Sequence, residues 1–244
     1  MKKSTMVDRS TTPDGNNISL FQHDGNYSIR VGAVELMSTR QNNSERELGQ
    51  VACQHHKSHK AQPNILVGGL GFGYTLASVL EQVGPKAQVT VAELLPCIVA
   101  WNQDNSLPLA HKSLADSRVT VVNKDVRDLL GHGDNKYDVI ILDIDNGPAP
   151  LTAKTNESLY TRAGLEILKA SLKQSGTLAI WSADNNRLFM QRMKKTGLTV
   201  NDIQVRAHKG KGSVYTVFLG RNLPFRRPNK PSTPSRGKKN HGYR

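Results

Sequence analysis

The stretch Asn64–Thr75 has the sequence NILVGGLGFGYT, an apolar run followed by four glycines within six residues. The apolar run predicts a buried β-strand, and the glycines predict a tight turn that ends at the start of a helix. Glycine accepts positive φ without steric cost, and its missing side chain lets a ligand approach the backbone. The helix start adds unpaired N–H groups and the positive end of a dipole. The stretch therefore predicts a turn that binds a nucleotide-like ligand.

The glycine spacing excludes two common nucleotide motifs. A dinucleotide fingerprint, G-x-G-x-x-G from Gly69, would need glycine where Tyr74 stands, and a Walker loop would need a lysine after its second glycine. The pattern present is G-x-G-x-G, at Gly69, Gly71 and Gly73. It resembles the first motif of the class I fold that binds S-adenosylmethionine or its decarboxylated form. The alternative is a turn that only permits close packing of strand and helix.

Length and composition favour one main domain with short appendages. The 244 residues are enough to bury a sizeable core, and no apolar run approaches the roughly 20 residues of a membrane helix. The N-terminus has positive charge but no apolar core typical of a signal peptide. The two cysteines, Cys53 and Cys97, belong to no metal-spaced pair, and no metal is predicted. These features predict a cytoplasmic protein with reduced thiols.

The positive charge is concentrated at the C-terminal end. The formal net charge is +13, and residues 222–244 carry seven Lys or Arg and no acid. This segment is rich in Pro, Ser and Gly, so we predict a disordered basic tail. Such a tail suits weak contact with nucleic acid or another acidic partner, but we favour a solubilising role.

The chain before the glycine stretch predicts a small appendage. Residues 1–16 are polar and predict a flexible N-terminus. Residues 17–60 predict a β-hairpin unit, because alternating apolar residues flank Asp24-Gly25, followed by a helix with a capping box from Ser44 to Glu47.

The remainder, residues 61–221, alternates between strand and helix patterns. Alternation of this kind predicts a mostly parallel sheet, here of seven strands that end in a C-terminal antiparallel hairpin. The predicted fold class is α/β and Rossmann-like, as in class I methyltransferases.

Four carboxylates follow predicted strands, where open parallel sheets bind ligands. Glu93 comes about 20 residues after the glycines, where an acid binds ribose hydroxyls in this fold class. Asp125 either meets the adenine edge or caps the next helix. Asp143 and Asp145 follow the fourth strand, where they could bind an amine or take a proton from an attacking nitrogen, unless they only cap a turn.

In these motifs and their order, from about Ile18 to Leu219, the chain resembles the spermidine synthase family. Members of that family transfer an aminopropyl group from decarboxylated S-adenosylmethionine to a polyamine, and they are often dimers. The resemblance implies that the donor is bound by the glycine turn and Glu93, with Asp125 and Val126 at its adenine end. It also implies that Asp143, with Asp145 nearby, assists deprotonation of the attacking amine.

Two positions depart from the family pattern. The family carries an Asp in its glycine turn where this chain has Gly71, and its second acid after strand four is displaced by one residue, to Asp145. The leading hypothesis is therefore a spermidine synthase-like transferase, with a small-molecule amine as acceptor and aminopropyl transfer as the specific reaction. The alternatives are a methyltransferase that uses S-adenosylmethionine, or an inactive relative whose tail contacts nucleic acid.

Overall fold

The computed structural model describes residues 4–56, 62–131, 134–144 and 156–224. The basic tail beyond residue 224 and the predicted catalytic residue Asp145 lie outside the described residues. Predictions that concern them are therefore unchanged by the structure.

The N-terminal part forms a four-stranded antiparallel sheet in the order β1-β2-β3-β4. The predicted hairpin at Asp24-Gly25 is confirmed, because both residues have positive φ and join adjacent strands through a two-residue turn. The strands are β1 (Thr5–Thr11), β2 (Asn17–His23), β3 (Asn26–Val31) and β4 (Val34–Ser38).

Strand β1 differs from the flexible N-terminus that the sequence predicts for residues 1–16. It pairs with β2 along its length, and Asp8 accepts a 2.6 Å hydrogen bond from the Trp101 indole N–H. Its residues are nearly all exposed, including the apolar Met6 and Val7, so the strand has no buried face. An edge strand held by backbone hydrogen bonds gives no hydrophobic periodicity, which is why the sequence pattern missed it.

The main sheet has seven strands in the order β10-β11-β9-β8-β5-β6-β7. The five strands from β5 to β9 are mutually parallel, and β11 pairs antiparallel with β9 and β10. This topology confirms the predicted fold class, including the C-terminal hairpin. The strands are β5 (Asn64–Gly68), β6 (Gln88–Ala92), β7 (Val119–Val122), β8 (Tyr137–Leu142), β9 (Leu172–Ser182), β10 (Thr199–His208) and β11 (Lys211–Arg221).

Helices cover both faces of this sheet, so successive side chains of its central strands enter different cores. Ile65 and Val67 of β5 join one apolar cluster, with residues of the N-terminal sheet, and Leu66 joins the other. The helices are α1 (Asn43–Ala52), α2 (Tyr74–Gln82), α3 (Pro96–Gln103), α4 (His111–Leu114), α5 (Glu157–Tyr160), α6 (Arg162–Ser171) and α7 (Arg187–Lys195), with a 3₁₀ turn at Val126–Leu129.

Helix α1 begins near the predicted position, but the predicted capping box is wrong. The N-cap is Asn42, which makes no side-chain capping bond. Ser44 is buried within the first turn, where its hydroxyl donates to the Glu45 carboxylate at 2.6 Å. Glu47 instead accepts from the Asn43 amide at 2.7 Å. The N-cap of α1 therefore lies two residues before the predicted one, and Glu45 lies in the first turn of the helix.

Candidate active site

The glycine turn brings the ends of β5 and β8 together. The Asp143 N–H donates to the Gly68 carbonyl at 2.8 Å, and Gly69 has φ +92°. A Cβ at Gly69 would collide with the backbone carbonyl of Asp143, so any larger residue would separate the two strands. The glycine therefore fixes Asp143 beside the turn. Gly73, with φ +75°, is the last glycine of the turn and the N-cap of α2.

Gly71 is the position where the family pattern carries an acid, and glycine supplies no side chain there. Its φ is +51°, and a Cβ added there would lie 3.0 Å from the Met37 sulfur. Met37 belongs to β4, so a thioether from the N-terminal sheet fills the space beside the turn. The Gly71 carbonyl accepts from the buried Asn102 amide at 2.7 Å, which holds the turn from its other side.

Glu93 lies at the end of β6 and is buried. Its two carboxylate oxygens accept from the backbone N–H groups of Leu70 and Leu95, each at 2.9 Å. Burial raises the pKa of Glu93, and these backbone N–H groups oppose the rise by stabilising the charged form. The side chain thus ties the glycine turn to the loop after β6 and keeps oxygen lone pairs for hydroxyl donors.

Both alternatives for Asp125 are compatible with its position. Its carboxylate accepts from the Arg127 N–H at 2.8 Å as a helix cap, and it also lines the cavity described below. Burial acts to raise the pKa of Asp125, but hydrogen bonds from Arg127 outweigh it and leave the pKa lowered. Asp125 is therefore a charged group beside the buried side chain of Val126, which lines the same cavity.

Asp143 follows β8, and a carboxyl from α1 stands close to it. Burial raises the pKa of Asp143 to about 6, although a hydrogen bond from Thr75 opposes the rise. Burial, and then the charge of Asp143, raise the pKa of Glu45 to about 7. Two negative charges at a site with little solvent repel each other. A cationic ligand would relieve this repulsion, so the pair is suited to bind one.

Glu45 is the site residue that sequence reasoning missed. It lies in the first turn of α1, where an acid is ordinarily explained by the helix dipole. No local motif marks it, because its place in the site depends on how α1 packs against α2 and the sheet.

These residues surround one cavity of about 230 Å³ between the N-terminal sheet and the main sheet. We call its two sides the sheet wall, formed by Gly69, Gly71, Glu93, Asp125, Val126 and Asp143, and the N-terminal wall, formed by Asp14, Ile18, Ile29, Met37 and Glu45. All predicted site residues except Gly73 and Asp145 therefore lie on the sheet wall.

The charge of the cavity is opposite to that of the chain. Among the described residues that line it, the acids are Asp14, Glu45, Glu93, Asp125 and Asp143, whereas Lys124 is the single base. The chain as a whole has a net charge of +13. This contrast favours a ligand that carries positive charge.

One residue that lines the cavity carries a hydrogen-bond donor with no acceptor among the described residues. The Trp181 indole N–H is buried, and no described residue accepts its hydrogen bond. Trp181 lines the cavity from the end of β9, and its ring packs against Tyr215 with centroids 4.8 Å apart. An indole N–H of this kind usually finds an acceptor when it is buried.

The described residues offer neither a metal site nor a membrane-spanning helix. They contain no group of three or more His, Cys, Asp or Glu side chains placed to hold a metal ion. No helix in the described segments has the length and apolar character needed to cross a membrane.

The fold and the cavity define a Rossmann-like protein of the class I methyltransferase type. The family model of the spermine/spermidine synthase domain matches residues 45–208, which is more than half of the chain. The chain belongs to this family, and the predicted family is confirmed. The enzymes of this family are transferases, in agreement with the predicted enzyme class.

Individual relatives match more distantly. The polyamine aminopropyltransferase of Oceanobacillus iheyensis is 33% identical over 119 residues, which are 48% of this chain and 22% of that protein. The chain therefore matches about a fifth of the length of this curated relative.

Two solved structures illustrate the range of proteins that share the fold. The crystal structure of spermidine synthase from Thermotoga maritima matches with a TM-score of 0.71 at 15% identity, over 89% of this chain and 72% of that one. A 1,6-didemethyltoxoflavin-N1-methyltransferase from Burkholderia thailandensis, with bound S-adenosylhomocysteine, matches with a TM-score of 0.52 at 19% identity, over 75% and 80% of the two chains. At these identities the likeness concerns the fold alone.

Proposed function

We propose that this protein transfers an aminopropyl group from decarboxylated S-adenosylmethionine to an amine, with a polyamine as the preferred acceptor. The observation that carries the proposal is the cavity, whose described residues supply five carboxyls and one lysine. Decarboxylated S-adenosylmethionine combines a sulfonium with an ammonium and has no carboxylate. A polyamine is likewise cationic, so both substrates match the charge of the site.

The sheet wall supports the assignment of the donor site. Glu93 has the position and the lone pairs to accept from the ribose hydroxyls, and its bonds to Leu70 and Leu95 fix its orientation. Asp125 and Val126 would contact the adenine end of the donor. The glycines of the turn would let the donor approach the backbone closely.

Asp143 would act on the acceptor. The attacking nitrogen must be neutral, whereas an alkyl amine is protonated near pH 7. We propose that Asp143 first accepts a proton from the ammonium, and that the neutral nitrogen then uses its lone pair to bond to the propyl carbon next to sulfur. The carbon–sulfur bond breaks, and its electron pair stays on sulfur to give methylthioadenosine. A pKa of about 6 leaves Asp143 mainly ionised at neutral pH.

A methyltransferase that uses S-adenosylmethionine is the second candidate, because the same fold holds S-adenosylhomocysteine in the Burkholderia enzyme. Ordinary S-adenosylmethionine carries a carboxylate, which needs a cationic side chain or free N–H groups to bind it. Lys124, the cavity's single base in the described segments, follows β7 directly before Asp125, at the proposed adenine end. The charge of the cavity thus favours the decarboxylated donor.

Calorimetric titration with S-adenosylmethionine, its decarboxylated form and methylthioadenosine tests these alternatives. We expect the decarboxylated donor and methylthioadenosine to bind, and S-adenosylmethionine to bind at least about tenfold more weakly, since an unpaired carboxylate would face acids. Tighter binding of S-adenosylmethionine would overturn aminopropyl transfer in favour of methyl transfer. No binding by any of the three would overturn both candidates.

The identity of the acceptor and the predicted homodimer stay predictions. Turnover assays with a series of amines of increasing length would identify the acceptor, and sedimentation would give the oligomeric state.

A further inference from the structure

The hydroxyl of Thr75 contacts the proposed base and the neighbouring helix at the same time. Thr75 lies in the first turn of α2 and is 2% exposed. Its Oγ1 is 2.5 Å from Oδ2 of Asp143 and 3.2 Å from the backbone carbonyl oxygen of Glu45. A hydroxyl has one hydrogen, so Thr75 donates fully to only one of these two acceptors at a time.

The protonation state of Asp143 decides which acceptor Thr75 serves. When Asp143 is ionised, the shorter, charge-assisted bond to Oδ2 is the stronger one. When Asp143 is protonated, its O–H can donate to Oγ1, and the Thr75 hydroxyl is then free to donate to the Glu45 carbonyl. Only the first arrangement stabilises the ionised carboxylate.

We propose that Thr75 is a positioning residue that holds Oδ2 of ionised Asp143, so that Oδ1 remains for the amine proton. The role of Asp143 in this statement rests on the proposed function, whereas the effect of Thr75 on the carboxyl does not. Thr75 ends the stretch Asn64–Thr75, directly after Tyr74, but the sequence pattern assigns its hydroxyl no role.

The burial of Asp143 makes such support necessary. Asp143 faces Glu45 from α1 and shares the cavity with Glu93, Asp125 and Lys124. Burial raises the pKa of Asp143, and the Thr75 hydrogen bond is what lowers it. Loss of the hydroxyl should therefore raise the pKa further and leave less of the ionised base at neutral pH.

A second hydroxyl provides a matched control. Ser78 lies one turn further along α2, is 3% exposed, and donates to the Arg46 carbonyl of α1 at 2.6 Å. Both hydroxyls fasten α2 to α1, but only Thr75 also contacts Asp143. A merely structural role would therefore be shared by the two residues.

The test is the titration of the Asp143 carboxyl, followed by ¹³C NMR and assigned with Asp143→Asn. We expect Thr75→Val to raise the pKa of this carboxyl by about one to two pH units, the equivalent of one hydrogen bond to a charged group. Thr75→Ser should restore the wild-type value, and Ser78→Ala should leave it unchanged. An unshifted carboxyl in Thr75→Val would overturn the proposal, as would an equal shift in Ser78→Ala. Thr75→Ala repeats the test if the valine crowds the site.

Measurements of kcat separate a failure of the Thr75 proposal from a failure of the proposed function. In Thr75→Val we expect kcat to fall about tenfold at about pH 6 and to approach the wild-type value at about pH 9. If the wild-type protein transferred no aminopropyl group, the proposed function would fail, yet the NMR titration would still decide the role of Thr75. If the wild-type protein were active and its carboxyl pKa did not respond to Thr75→Val, the Thr75 proposal alone would fail.

Discussion

The two walls of the cavity differ in the range of the interactions that build them. The sheet wall comes from the segments that follow β5, β6, β7 and β8, and Gly69 can hold no side chain because the Asp143 carbonyl is too close. The N-terminal wall comes from a separate sheet and from α1, whose positions depend on packing between distant parts of the chain. If the proposed function holds, this difference means that the donor contacts follow from a local motif, whereas the contacts of the N-terminal wall follow from long-range packing.

The largest effect should come from Asp143, where the two walls meet. We expect Asp143→Asn to lower kcat at least about a hundredfold, because the proposed proton acceptor is lost while shape and size are kept. Donor affinity should change less than about twofold, since the proposed donor contacts lie elsewhere on the sheet wall. Calorimetry and steady-state kinetics on the same preparation separate the two quantities.

Asp138→Asn is the matched control for this variant. Asp138 lies at the other end of β8, outside the cavity, where its carboxylate pairs with Lys173 at 2.7 Å. We expect a loss of stability in Asp138→Asn but normal turnover of the folded protein. Full activity in Asp143→Asn would remove this residue from its proposed role.

The sequence alone predicted most of the sheet wall. Strands β6 and β8 are rich in apolar residues, as buried parallel strands are, and each ends directly before a predicted site acid, Glu93 or Asp143. Since ligands of such sheets lie beyond the carboxyl ends of the strands, Glu93, Asp125 and Asp143 followed from position.

The N-terminal wall could not be predicted in the same way. The segment that carries Asp14 has the composition of a flexible terminus, yet it lies in the turn between β1 and β2 and lines the cavity. Its contribution depends on backbone pairing, which leaves no pattern in the side chains. Met37 and Glu45 likewise have ordinary local explanations, as a strand residue and an acid in a first helical turn.

An effect of intermediate size is expected for Glu93→Gln, which changes the sheet wall alone. We expect Glu93→Gln to weaken methylthioadenosine binding about thirtyfold, because hydrogen bonds from hydroxyls to a carboxylate exceed those to an amide. The glutamine NH₂ would also oppose one of the N–H groups of Leu70 and Leu95, so a lower Tm should accompany the loss of affinity.

A ligand that lacks the ribose 2′-hydroxyl separates the loss of a hydrogen bond to ribose from a disturbance of the turn. The 2′-deoxy form of methylthioadenosine should bind wild-type protein more weakly than the parent compound, and Glu93→Gln should reduce its affinity much less. If both ligands lost affinity equally in Glu93→Gln, Glu93 would support the turn without contacting ribose, and the sheet wall would be less specific than its sequence suggests.

The smallest effect concerns Glu45 on the N-terminal wall, and its dependence on pH makes it measurable. Asp143 and Glu45 have raised pKa values of about 6 and about 7, so the pair loses its protons in two steps. Below the higher value Glu45 is mainly neutral, like a glutamine, and above it Glu45 adds a second negative charge. A cationic amine should therefore gain affinity from Glu45 as the pH rises through about 7.

We expect Glu45→Gln to raise KM for the amine about fivefold at about pH 8 and less than twofold at about pH 6, with kcat nearly unchanged. Glu47→Gln is the control, since Glu47 lies on the same helix but bonds to Asn43 and does not line the cavity. The decisive measurement is the ratio of the KM values of Glu45→Gln and wild-type protein across this pH range. A ratio independent of pH would mean that Glu45 does not meet the amine, and that acceptor charge is recognised by the sheet wall after all.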